Sequence, residues 1–137
     1  MIDESKVGTK TKIVNVKVKR EEIQQLCHVI DEKNHVFHDV NAASEAGFED
    51  ILLPPTYPIL FWQHLEPPWL ETDATIIQSE QIFSYKTPLV ANKMYQCQIE
   101  LLKVRTRENK QFVVNRLYIN DGEKVVATSD TTLVLLY

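Results

Sequence analysis

The sequence lacks most of the features that mark a specialised class of protein. Its 137 residues include two cysteines and three glycines, with no CxxC or HExxH motif, no apolar run of membrane-spanning length and no basic stripe. Two buried thiols are therefore a better interpretation than a disulfide or a redox motif. Because a net charge of -4 is spread along the chain, we expect neither nucleic acid nor an anionic membrane as the main partner.

The sequence contains enough hydrophobic residues to form one core. Hydrophobic residues make up 44% of the chain, and its length is typical of one domain, so we expect residues 1–137 to form a single domain. The polar amino-terminal stretch has no apolar signal region, which favours a cytoplasmic protein.

Two kinds of hydrophobic periodicity divide the chain. Residues 12–18 alternate as a short strand does, and residues 19–32 place apolar side chains three or four positions apart, which predicts an amphipathic helix. A small helical turn is expected over residues 42–46, where Gly47 can end it. A short buried helix is expected over residues 55–64, between two proline pairs.

The chain turns to strand from residue 75 onward. Its segments are rich in Val, Ile, Thr and aromatic residues with period-two stretches, and they predict strands over 75–86, 94–107, 110–120 and 124–137. Turn residues between them indicate an antiparallel meander. The whole order predicts an α+β domain in which an antiparallel sheet wraps a central apolar helix.

This order, together with the stretch NHVFHDVNAASEAGFEDILLPPT from Asn34 to Thr56, resembles the hot dog fold of MaoC-like dehydratases and hydratases. The PPT segment, Pro54 to Thr56, follows the AGF run as it does in the amino-terminal branch of that family, which this sequence resembles most. Residues 79–95 and 121–135 support the likeness. The resemblance implies that the chain acts on (3R)-hydroxyacyl or trans-2-enoyl thioesters of coenzyme A or acyl carrier protein. It implies no cofactor.

Catalytic members of this family share an Asp-x-Asn-Pro-aliphatic-His run, whose Asp and His are the acid/base pair, and a later Gly whose N–H holds the thioester carbonyl. Aligned without gaps, this sequence keeps Asn34 but has Glu32 at the Asp, Phe37 at the His and Pro55 at the Gly. Phe37 cannot carry a proton, and Pro55 has no N–H to donate. The resemblance therefore implies a subunit that binds the acyl chain beside a partner hot dog chain with the intact run.

Candidate binding residues follow from the same alignment. We expect the acyl thioester to contact Asn34, Phe37, Gly47, Pro55, Thr56 and Tyr57. Hot dog domains of this family pair side by side with the thioester tunnel at the interface, so a homodimer or a heterodimer is expected. Candidate contacts for an anionic carrier are Lys86, Lys93 and Arg116.

Catalysis by this chain itself is a second possibility, with His38 as the acid/base group. His38 lies one residue beyond Phe37, so a bulge could bring it into the missing role as part of an active homodimeric hydro-lyase. The carboxylates near it in the sequence are Asp31, Glu32 and Asp39. A hot dog thioesterase that uses Glu32 or Asp39 is a further alternative. A metal held by His35, His38 and an aspartate is conceivable, but no second ligand cluster completes such a site, and no metal is expected.

Overall fold

The computed structural model describes residues 1–137 and is built on one five-stranded antiparallel sheet. The strands are β1 (Val14–Lys17), β2 (Thr75–Tyr85), β3 (Met94–Arg107), β4 (Lys110–Asp121) and β5 (Lys124–Leu136). The helices are α1 (Arg20–Val29) and α2 (Val40–Glu45), with short 3₁₀ segments at Glu4–Lys6, His35–Phe37, Tyr57–His64 and Pro68–Leu70. None of these helices has the length and apolar character that crossing a membrane requires.

The strand order β1-β3-β4-β5-β2 corrects the predicted four-strand meander. Only β3, β4 and β5 are joined by tight turns, and β2 pairs with β5 at the far edge. The connection from β2 to β3 is not a hairpin because residues 89–91 bond to residues 51–53 instead. The Leu53 N–H donates to the Leu89 carbonyl and the Ala91 N–H donates to the Ile51 carbonyl, both at 2.9 Å.

One face of the sheet carries the core. Alternate residues of β3, β4 and β5 are buried, as expected for strands that are covered on one side. The main cluster joins this face to α1 through Ile23 and Cys27 and to the 3₁₀ helix through Tyr57 and Phe61. The core therefore lies between the sheet and the segments that precede β2.

The apolar segment after the first proline pair forms the 3₁₀ helix Tyr57–His64, and it is buried on one side only. Tyr57, Pro58 and Phe61 are buried, whereas Leu60 is 39% exposed. Eight residues between two proline pairs give few turns, and short helical pieces often take the tighter 3₁₀ form. The predicted central helix is thus present, but it is shorter, more tightly wound and more open than the sequence indicated.

Candidate functional site

The loop between α1 and α2 is held by local hydrogen bonds. Asp31 takes a left-handed conformation (φ 56°) after the helix ends, and the Glu32 N–H returns to the Cys27 carbonyl at 2.9 Å. The Glu32 carboxylate accepts the Asn34 N–H at 3.0 Å, and Asn34 Oδ1 accepts the Val36 N–H at 3.2 Å. The side chains of Glu32 and Asn34 therefore set the entry into the 3₁₀ helix His35–Phe37.

His38 closes this loop through the backbone. Its Nε2 lies 2.6 Å from the Glu32 carbonyl oxygen. Because a carbonyl only accepts, Nε2 donates, and a neutral ring keeps Nδ1 as its acceptor. The His38 side chain is exposed, so Nδ1 is within reach of a molecule at the surface.

An open hollow beside the end of α1 brings the three predicted catalytic residues together. It is lined by Gln24, Cys27, His28, Asp31, Glu32, Lys33, His35 and His38. The hollow offers imidazole and carboxylate groups that can exchange protons with a ligand. No three or more His, Cys, Asp or Glu side chains converge in the structure to hold a metal ion.

Three of the predicted substrate-binding residues have structural roles. Asn34 begins the short 3₁₀ helix, Phe37 packs half-buried against the main core cluster, and Gly47 (φ 92°) ends α2 in a conformation that favours glycine. None of them lines the hollow. However, the Leu52 N–H donates to the Val36 carbonyl at 2.9 Å, so the loop lies next to the PPT segment.

The other three predicted binding residues lie at the start of the central 3₁₀ helix. Pro55 and Thr56 are exposed, whereas Tyr57 is buried with its ring edge-on to Phe61 at 6.0 Å between centroids. Sequence analysis missed Tyr85, whose hydroxyl donates to the Pro55 carbonyl. Burial raises the pKa of Tyr85 to about 12, so the phenol stays protonated at neutral pH. Tyr85 thereby ties β2 to the PPT segment.

Two of the three predicted carrier-binding cations are already paired. Lys93 Nζ contacts a carboxylate on either side, Glu49 at 3.0 Å and Asp121 at 2.9 Å. Arg116 makes two hydrogen bonds to Asp130, at 2.7 and 2.8 Å. The third, Lys86, follows Tyr85 at the end of β2 and is exposed. Lys86 is therefore the cation best placed to meet an anionic group.

Sequence analysis also missed a set of polar side chains on the core face of the sheet: Gln81, Asn115, Ser129 and Thr131, which we call the polar layer. The last three are at most 3% exposed. The half-buried Gln81 amide donates to the Ser129 hydroxyl and accepts from the Thr131 hydroxyl, the latter at 2.7 Å. Asn115 Oδ1 accepts the Trp69 indole N–H at 2.8 Å. Along the strands this layer lies between the main core cluster and a second one.

Comparisons with known proteins agree with this architecture. The family model described as "FAS1-like, dehydratase domain region" matches residues 5–129. A UPF0336 protein of Thermobifida fusca (strain YX) is 29% identical over 126 residues, which cover 86% of this chain and 82% of that protein.

Two solved structures from Mycobacterium tuberculosis are similar in fold. A chain of the C-terminally truncated HadBC (3R-hydroxyacyl-ACP dehydratase) complex has a TM-score of 0.84 at 21% identity, covering 94% of this chain and 96% of that one. A chain of the ChsH1-ChsH2 complex has a TM-score of 0.75 at 16% identity, covering 97% and 90%. A sheet packed on a central helical segment is the hot dog arrangement that the resemblance implied. With the family match extending over residues 5–129, the chain belongs to the FAS1-like dehydratase-region family and has the hot dog fold.

Proposed function

We propose that this chain, as one hot dog domain, is the acyl-binding subunit of a (3R)-hydroxyacyl-thioester dehydratase whose proton-transfer groups come from a second hot dog subunit. Membership of a dehydratase family supports the reaction class. The observation that carries the proposal is Phe37, which packs half-buried against the core. In the gap-free alignment with the family's catalytic run, Phe37 takes the position of the histidine. A phenyl ring neither donates nor accepts a proton, so the chemistry needs a group from elsewhere.

Pro55, placed by the same alignment, supports the same conclusion through a second catalytic role. It has no backbone N–H at the position where a donor should hold the thioester carbonyl. Its own carbonyl already accepts the Tyr85 hydroxyl. Losing one oxyanion donor costs about a hundredfold to a thousandfold in kcat. With the proton carrier missing as well, we expect no measurable hydration by this chain alone.

We propose that the second subunit binds along β2. This edge strand has nine exposed residues among its eleven, and Ile76, Ile77 and Ile82 are each more than 40% exposed. The backbone groups on its outer edge have no strand partner in this chain, because β2 is last in the sheet. An apolar edge of this kind favours pairing with another strand. The similar HadBC and ChsH1-ChsH2 proteins are complexes, which supports a two-subunit assembly.

The proposed substrate is an acyl thioester of coenzyme A or acyl carrier protein. Both carriers are anionic, and the exposed Lys86 near Tyr85 supports binding of such a group at this end of β2. We place the reaction in the cytosol, since the unpaired thiols of Cys27 and Cys97 suit a reducing compartment.

The test is hydration of a trans-2-enoyl-CoA series, followed by the loss of enoyl absorbance. The purified chain alone should be silent at every chain length, and activity should appear when a hot dog subunit with the intact Asp-x-Asn-Pro-x-His run is added. The same subunit with its motif histidine changed to alanine should give no activity, which locates the chemistry in the partner. Turnover by the chain alone would contradict the proposal.

A second candidate, an active homodimeric hydro-lyase, is favoured by the hollow that unites His38 with Asp31 and Glu32. In that case the chain alone hydrates the enoyl thioester, and His38→Ala abolishes turnover. His64→Ala is the matched control, because His64 is also exposed but lies on the central 3₁₀ helix and outside the hollow. Measuring free thiol in the same reactions distinguishes hydration from thioester hydrolysis.

A further inference from the structure

The inner face of β2, which we call the β2 path, is only partly covered by the rest of this chain, and its Tyr85 end lies beside Pro55. Strand pairing places Tyr85, Phe83, Gln81, Gln78 and Ile76 opposite Ala127, Ser129, Thr131, Leu133 and Leu135 of β5, respectively. Directly opposed residues share a face of the sheet, so this row of β2 lies on the core side. Its ends, Tyr85 and Ile76, are still 36% and 43% exposed, so the rest of this chain leaves the path partly uncovered.

The polar layer crosses this path at Gln81. Gln81, Thr131 and Asn115 stand side by side on β2, β5 and β4, and Ser129 lies one row nearer to Tyr85. Tyr85 lies four positions after Gln81, which corresponds to about 13 Å of extended strand. An acyl chain that starts at Pro55 and follows β2 therefore meets amide and hydroxyl groups in its middle or far part.

The Gln81 amide keeps hydrogen-bonding capacity for a ligand. Gln81 Nε2 has two protons, and it donates one of them to the buried Ser129 hydroxyl. Gln81 itself is only half-buried. Covering its second Nε2 proton with an alkyl chain leaves that donor without water or a partner, whereas an oxygen atom at the same place can accept from it.

Resting on the function proposed above, we infer that this subunit selects acyl groups that carry a hydroxyl or keto oxygen at the depth of the polar layer. The oxygen accepts a hydrogen bond from the second Nε2 proton of the half-buried Gln81 amide. Thr131 is a positioning residue, since its hydroxyl fixes Gln81 Oε1 at 2.7 Å and so orients the amide. Unsubstituted alkyl chains long enough to cross the layer bind more weakly.

Calorimetric binding to the assembled dimer tests this without relying on turnover. The probes are saturated acyl-CoAs from hexanoyl to dodecanoyl and their ω-hydroxy counterparts. At the acyl lengths whose end reaches the polar layer, the hydroxyl-bearing probe should bind about tenfold more tightly than the alkyl probe. A tenfold difference in affinity is about what one buried hydrogen bond contributes. Gln81→Leu should abolish that preference, and Thr131→Val should reduce it.

Thr132→Val is the matched control, because Thr132 follows Thr131 on β5 and its side chain points to the opposite face. It should leave the preference unchanged. Equal affinity for both probe types at every length, or a preference that survives both Gln81→Leu and Thr131→Val, would overturn the inference alone. If no acyl-CoA of either type bound the assembled dimer, that result would contradict the proposed function itself, and this inference as well.

Discussion

Removing the Phe61 side chain tests how the central 3₁₀ helix is held against the main core cluster. Phe61 is 1% exposed and meets Tyr57 edge-on. Phe→Ala at a fully buried site costs about 4 kcal/mol, which includes the cavity left behind. For a chain of 137 residues, an unfolding entropy of about 2.1 cal/mol/K per residue gives about 0.29 kcal/mol/K. The melting temperature of Phe61→Ala should therefore fall by about 14 °C.

Leu60→Ala is the internal comparison, because Leu60 is the preceding residue and is 39% exposed. Less apolar surface is lost there, so about 1 kcal/mol and a fall of about 3 to 4 °C are expected. Both variants should be melted by circular dichroism at the same protein concentration, since assembly would otherwise shift the transition. Equal losses for the two variants would refute the one-sided burial of this helix.

Three further predictions concern titratable groups. Because burial raises the pKa of Tyr85 to about 12, its neutral form favours the fold, and this contribution should be lost as the pH rises from about 10 toward 12. Ultraviolet titration should show less late-titrating phenolate in Tyr85→Phe than in the unchanged chain, in which burial also raises the pKa of Tyr57 and Tyr95. Hydrogen bonds from Arg20 lower the pKa of Asp50, so that stabilisation is present above about pH 4 and is lost as the pH falls through the folded pKa. In Arg20→Gln, the free energy of unfolding measured by urea should fall less steeply as the pH is lowered below about 4. The same steepness in both proteins would contradict this. Burial raises the pKa of Cys97 to about 12 and that of Cys27 in the same direction. Neither thiol should react with a disulfide reagent at neutral pH until urea unfolds the chain, and rapid labelling of the native protein would argue against their burial.

Strands β3, β4 and β5 were predictable because the alternation of apolar and polar residues in their sequence matches their burial. Val113, Leu117 and Ile119 of β4 face the core at every second or fourth position, as the period-two pattern requires. The place of β2 in the sheet was not predictable from such a pattern. It depends on residues 89–91 bonding to residues 51–53, a contact between distant segments that prevents a hairpin to β3.

The site was predictable only in part, for a similar reason. The placement of Phe37 where the family's catalytic run has its histidine follows from the resemblance and stays a prediction. Ser129 and Thr131 could have been recognised as polar residues on an apolar face. They lie between Ala127 and Leu133 at every second position of β5, which puts all four side chains on the same face. The bond from Tyr85 to Pro55 could not, because it joins positions thirty residues apart in sequence.

The loop between α1 and α2 keeps its shape through local hydrogen bonds. Glu32, Asn34 and His38 bond to backbone groups within six residues of themselves, and none of these bonds involves the side chain of Phe37. The shape of this loop therefore does not depend on a proton-transfer group at position 37. Under the function proposed above, the partner subunit supplies that group, and the inner face of β2 in this chain sets which acyl groups are accepted.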